Sequence, residues 1–151
     1  MKKIALLILI LFSHLSWAQA TDFLPNTGDN EMDVFLKKVN TDAKKDVSAF
    51  KNMVANKFNI AITDIEKLLL DMLPGDVYMA AQVSKATGKS LTEVSTTYKK
   101  NKGKGWGVMA KEMGIKPGSP EFHALKKSMK KSGGKQKEKK GGKGNGKGKK
   151  E

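Results

Sequence analysis

The chain has 151 residues, a formal charge of +14, two histidines and no cysteine, and all 29 of its basic residues are lysine. These counts exclude a disulfide-stapled scaffold and any His-rich or Cys-containing metal site, and they leave room for one modest apolar core. The absence of arginine removes the fork-shaped donor that reads phosphates, carboxylates and guanine edges bidentately, so attraction to anions here is diffuse.

Residues 1–20 read as an export signal. Lys2 and Lys3 give a positive start, Ile4 to Phe12 an unbroken apolar run, and Ala18-Gln19-Ala20 a small-x-small cleavage site. The run is short for a bilayer span and no second one follows, so no integral membrane span is expected after processing, and Thr21 becomes the mature N-terminus. The address this predicts is exported, in the periplasm or outside the cell. Residues 21–30, with Pro25 and Gly28, read as a flexible leader.

Residues 31–131 carry helical spacing throughout. Met32, Phe35, Leu36 and Val39 form one apolar face, with Asp29 or Asn30 as N-cap. Ala43, Val47, Phe50 and Val54 extend the pattern as the same helix or, with a fresh cap at Asn40 to Asp42, as a second one. Thr63 to Glu66 has the capping-box form and opens a helix stopped by Pro74-Gly75. Asp76 is placed to cap a helix ending at Gly88, and Ser90 to Glu93 repeats the capping box. A short helix after Trp106 closes at Gly114, a left-handed C′ position. Ser119-Pro120 starts the last, with Phe122, Leu125 and Met129 inward. No segment keeps strand alternation. The predicted fold is all-α, a single small domain of about six short helices.

Residues 132–151 are almost entirely lysine and glycine and read as a disordered, low-complexity tail. The charge is concentrated at this end: from Lys126 onward, twelve lysines face only Glu138 and Glu151, while Thr21 to Leu125 holds fifteen lysines against thirteen acids.

The run from Pro74 to Lys127 resembles an uncharacterised family of small exported bacterial proteins marked by a GKGWG segment, an AKE-x-GIKPGS helix and turn, and EFHALK. Here these are Gly103 to Gly107, Ala110 to Ser119 and Glu121 to Lys126. The resemblance implies the domain boundaries and the exported address; it transfers no catalytic residue.

Ala110 to Ile115, followed by Ser119 and a helix, has the outline of a helix-turn-helix DNA reader. Pro120 and His123 stand where that motif needs apolar residues, so the expectation is an αα-corner packed by Ala110, Met113, Ile115, Phe122 and Leu125, and sequence-specific DNA binding is not expected. Trp106 between Gly105 and Gly107 reads as an indole that covers the core at the start of a helix, with an exposed aromatic platform as the alternative. Lys99, Lys100, Lys102 and Lys104 make a second basic cluster. His123, the only histidine after processing, sits beside Glu121 without a candidate nucleophile. The seven mature methionines fall at or near apolar helical positions and read as core fillers.

The function predicted from sequence is an exported non-enzymatic binding protein without cofactor, catalytic or metal site. Its lysine-rich end contacts polyanions such as anionic envelope lipid, lipopolysaccharide or nucleic acid. The residues expected to do so are Lys126, Lys127, Lys130, Lys131, Lys135, Lys137, Lys139, Lys140, Lys143, Lys147, Lys149 and Lys150. The alternative is a periplasmic module that binds an envelope protein or a small ligand through Tyr98, Lys102, Lys104, Trp106 and the Gly114 to Ser119 loop.

Overall fold

A computed structural model describes residues 23–138. The expected signal peptide, its Ala18 and Ala20 cleavage site and residues 139–151 lie outside them. Seven helices follow one another: α1 (Asn30–Lys45), α2 (Val47–Phe58), α3 (Ile62–Leu69), α4 (Pro74–Thr87), α5 (Leu91–Lys100), α6 (Trp106–Glu112) and α7 (Pro120–Glu138). No strand occurs among the described residues. The domain is all-α, as the apolar spacing predicts.

The organising element is α4. Every residue from Pro74 to Val83 is buried, because α1, α2, α3, α5 and α7 all pack around it. Such a helix has no solvent stripe, and its small residues Gly75, Ala80 and Ala81 keep the surrounding helices close. Gly75 is the tightest point: a Cβ there would stand 2.8 Å from the Phe23 ring and 2.9 Å from the Leu36 carbonyl. Of the seven methionines after residue 20, Met32, Met72, Met79, Met109, Met113 and Met129 are buried and Met53 is partly so, as gap fillers between helices of unequal length.

The helix starts and stops follow local chemistry at most junctions. Asp29 caps α1 by accepting from the Met32 N–H at 3.1 Å. Ser90 caps α5 through the Glu93 N–H at 3.1 Å, and Ser119 caps α7 through the Phe122 N–H at 3.2 Å. At Gly114, with φ of 98°, the Ile115 N–H reaches the Ala110 carbonyl at 2.8 Å and the Gly114 N–H that of Lys111 at 3.1 Å. This is the Schellman closure that a left-handed glycine permits.

Three junctions differ from the sequence reading. The break between α1 and α2 falls at Asp46, not at Asn40 to Asp42: Asp46 turns extended, donates its N–H to the Asp42 carbonyl and caps Ala49 with its side chain. Asn40 stays inside α1 because its buried side chain accepts from the Gly75 N–H. Thr63 does not cap α3, which already begins at Ile62 with Ala61 as its N-cap. Pro74-Gly75 does not end a helix; Pro74 is the first residue of α4, where its missing N–H costs nothing, and Asp76 lies in the first turn instead of at the cap. At the far end, α7 runs to Glu138, seven residues beyond the expected boundary at Lys131.

The leader is also corrected. From Phe23 to Asp29 the chain is a docked strap whose carbonyls do the capping at α6. The Trp106 N–H donates to the Pro25 carbonyl at 2.8 Å and the Gly107 N–H to that of Asn26 at 2.9 Å. Those are two of the N-terminal donors that a helix leaves without internal partners, and α6 has no side-chain cap of its own. Thr27 is buried and donates from both N and Oγ1 to Asp33 Oδ1, at 2.9 and 2.6 Å.

Candidate functional site

Two charged regions emerge from this packing, one turned inward and one outward. The inward one grows from the first turn of α4. Asp76 is 4% exposed, and its carboxylate receives the Trp106 indole N–H at 2.7 Å on Oδ1 and the Tyr98 hydroxyl at 2.9 Å on Oδ2. The Tyr98 and Trp106 rings lie stacked, with centroids 5.6 Å apart. Burial pushes the Asp76 carboxyl above its ordinary range, and the Trp106 and Tyr98 bonds oppose that rise. Burial, together with the adjacent Asp76 charge, also raises the Tyr98 phenol.

This cluster joins α4, α5 and α6 and seats the strap, so it works as a structural latch. Trp106 at 1% exposure presents no face to solvent, and Tyr98 is buried beside it. Trp106 is thus the core-covering indole, not an exposed platform, and the alternative recognition surface that includes Tyr98 and Trp106 is corrected, since both rings are buried. Lys102 and Lys104 remain at the surface, with Lys104 held by the Asn101 side chain at 3.0 Å. Within the same basic cluster Lys99 pairs with Asp71 at 2.7 Å and holds that carboxyl below its usual range. Ala110, Met113, Ile115 and Leu125 are buried and Phe122 partly so, which makes the turn after α6 the packed corner expected of it. His123 is exposed and packs its ring edge against Phe122, while the Glu121 carboxylate turns back to its own N–H and the Ser119 hydroxyl.

The outward region is α7. Leu125 and Met129 face the core, and the lysines from Lys126 to Lys131 divide into two kinds. Lys126 bridges to Asp29 at 2.7 Å and Glu31 at 3.2 Å, tying α7 to the start of α1. The pair holds the Asp29 carboxyl below its usual range and raises Lys126. Lys127, Lys130 and Lys131 are exposed, with no carboxylate at salt-bridge distance among the described residues. Lys135 and Lys137 fall on the last turns of the helix; Lys139, Lys140, Lys143, Lys147, Lys149 and Lys150 lie outside the described residues.

A polar cluster that sequence reasoning missed fixes this helix from beneath. The Lys57 amine of α2 donates to the hydroxyls of Tyr78 and Ser132, and Gln82 donates to Ser128 Oγ at 2.8 Å and to the Tyr78 hydroxyl at 3.2 Å. The same amine lies 5.0 Å from the centroid of the Tyr78 ring and 5.5 Å from that of Phe58. The lysine is held by two aromatic rings and two hydroxyls, with no carboxylate among these contacts. No periodicity in the sequence announces such a site, since its members come from α2, α4 and α7.

Two concave surfaces flank these regions. A cleft of about 300 Å³ between α3 and α5 has its charges matched in pairs, Lys67 with Asp64 and Lys99 with Asp71. A groove of about 360 Å³ between α1 and α7 has an apolar floor and lysines along its rim. No helix among the described residues is long and apolar enough to cross a membrane. Comparison of this chain with models of protein families, with curated proteins and with solved structures finds no match.

Proposed function

We propose that the chain is an exported, non-enzymatic binding protein that attaches to polyanions through α7 and the lysine/glycine segment after it. The observation that carries this reading is the division among the α7 lysines: Lys126 is used internally, while Lys127, Lys130 and Lys131 stand in water on a helix anchored by Leu125, Met129 and Ser132. Left without carboxylates, these charges raise the local potential in the same direction as the lysines that follow in sequence. Each lysine near an anionic bilayer contributes about 1 kcal/mol, and phosphate contacts on a nucleic acid release counterions in the same sequence-blind manner. Export rests on the Lys2-Lys3 start, the Ile4 to Phe12 run and the Ala18-Gln19-Ala20 site.

Burial of Trp106 and Tyr98 speaks against the alternative in which those rings form a recognition surface. The test of the polyanion reading compares the full mature chain with one ending at Glu138, which lacks six lysines but keeps Ser132 and its bonds to Lys57 and Tyr78. Binding to anionic vesicles, lipopolysaccharide and nucleic acid is expected to be sequence-independent and steeply reduced by salt, and weaker for the shortened chain. Affinity indifferent to both salt and truncation refutes it.

A further inference from the structure

The groove between α1 and α7 combines an apolar floor with lysines along its rim. Its floor is apolar: Met32 and Met129 are buried at its base, Phe35 forms one side, and Val34 is 59% exposed at its lip. Phe35 is held in place by an edge contact with Tyr78 at 5.1 Å. Gly133, on the opposite helix, lines the groove without a side chain. Its rim carries Lys38, paired with Asp42, Lys126, paired with Asp29 and Glu31, and Lys130, unpaired among the described residues, and Lys127 and Lys131 follow on the exposed side of the same helix.

We infer that this groove takes one acyl chain of an anionic phospholipid, with the headgroup phosphate against Lys130 and its neighbours. The inference rests on the polyanion reading for the headgroup and deepens it by naming which polyanion. Charge complementarity selects an anionic head, because Lys38 and Lys126 are engaged by Asp42, Asp29 and Glu31 while Lys130 has no carboxylate partner among the described residues and the exposed Lys127 and Lys131 follow it on the same helix. The floor selects the chain. Both walls are helices whose backbone groups are bonded internally, so an extended peptide would leave its own N–H and C=O groups unpaired there, whereas a hydrocarbon has none to satisfy. A volume of about 360 Å³ lies at the small end of ligand sites and is narrow for a helix, which measures about 10–12 Å across.

The decisive variant is Gly133→Leu. A Cβ at Gly133 meets the Phe35 ring at 3.6 Å, an ordinary contact, and leucine is a better helix former than glycine, so the change fills the groove without disturbing the fold. The probe is lysophosphatidylglycerol below its micellar concentration, read by native mass spectrometry on the mature chain, alongside vesicles containing phosphatidylglycerol and a short DNA duplex. The expected result is one bound lipid per chain, with affinity reduced at least about tenfold by Gly133→Leu, by Val34→Asp and by replacing the headgroup with phosphocholine. DNA binding should be unchanged by Gly133→Leu. Lipid affinity that ignores both groove variants overturns the groove while leaving the polyanion reading intact. Loss of DNA and vesicle binding together in the unaltered chain overturns both. Binding of free dodecanoate without binding of the phospholipid overturns the choice of ligand, and a peptide competing for the site with equal affinity overturns the acyl-chain argument.

Discussion

Asp76 and Lys130 are both charged residues on helices, yet Asp76 is 4% exposed with a hydrogen bond to each oxygen, and Lys130 faces water with no carboxylate beside it. The chain closes its charges inward where α4, α5, α6 and the strap meet, and leaves them open along α7. A buried carboxylate is tolerable only when its lone pairs are occupied by donors, so the first arrangement is a device for holding elements together. The second adds nothing to folding and creates a field that an anion can answer. Substitutions at the two sites should separate accordingly, stability moving with one and binding with the other.

The largest effect is expected at Trp106. Trp106→Ala removes a buried ring, its stacking on Tyr98 and the Asp76 bond, and should cost about 3–5 kcal/mol in chemical denaturation, a large share of the stability of a domain this size. Salt-dependent binding by the molecules that remain folded should be unaltered. A wild-type midpoint with lost binding would reverse the assignment of the two regions.

Asp76→Ala comes next, at about 2–4 kcal/mol, because the indole N–H and the phenol are both left without their acceptor. Asp76→Asn should cost less: its carbonyl can accept from Trp106, and its amide can donate to a Tyr98 hydroxyl that has turned. The two variants also sharpen the pH dependence. The folded Asp76 carboxyl titrates above its ordinary value of 3.8, so the folded state holds a proton that the unfolded chain has already released. Its contribution to stability is therefore fully present below 3.8 and declines as pH rises through the folded value. Asp29 has the opposite sign: its carboxyl is depressed by Lys126, so its contribution is present above 3.8 and disappears as pH falls through the depressed value. Asp76→Asn should abolish the decline above 3.8 and leave the Asp29 loss at lower pH, as read from denaturation midpoints across that range.

How much of this was readable from sequence depends on how far apart the interacting groups lie. Caps within one turn, at Asp29, Ser90 and Ser119, and the Gly114 closure involve partners no more than five residues away, and spacing identifies them. Thr63 and Asp76 had equally good local patterns, yet at Asp76 tertiary packing decided: a carboxylate that can cap its own helix instead accepts from aromatic donors 22 and 30 residues on. The strap failed for the same reason. Its polar residues look like a free leader until Pro25 and Asn26 meet the start of α6 some eighty residues later, and the only local trace of that meeting is the Gly-Trp-Gly run itself. Lys57 left no trace, since a lysine on a helix is unremarkable in sequence.

That trace supplies the third prediction. Gly105 has φ of 83°, and a Cβ there would lie 2.7 Å from that of Asn26. Gly105→Ala should therefore cost about 1–3 kcal/mol through strain at a left-handed position, with the clash displacing the strap. Amide exchange should accelerate at Trp106 and Gly107, whose N–H groups lose the Pro25 and Asn26 carbonyls, before it does so in α4. Unchanged protection at those two amides would mean that the strap is not what caps α6.

The smallest stability effect, and the largest on binding, is expected from Lys127, Lys130 and Lys131 replaced together by glutamine. None of the three is buried or paired with a carboxylate among the described residues, and glutamine is a comparable helix former. The midpoint should therefore shift by no more than about 0.5 kcal/mol, and relief of lysine repulsion makes a small increase the expected sign. Binding to anionic vesicles should weaken and its salt dependence should flatten, because three charges leave a surface screened over about 8 Å at physiological ionic strength. Lys126→Gln provides the contrast on the same helix. It breaks the bridge to Asp29 and Glu31, so it should loosen the junction of α1 with α7, while removing a charge that is already compensated. If Lys126→Gln weakens binding as much per charge as the triple variant does, the division between internal and outward lysines is not the feature that determines attachment.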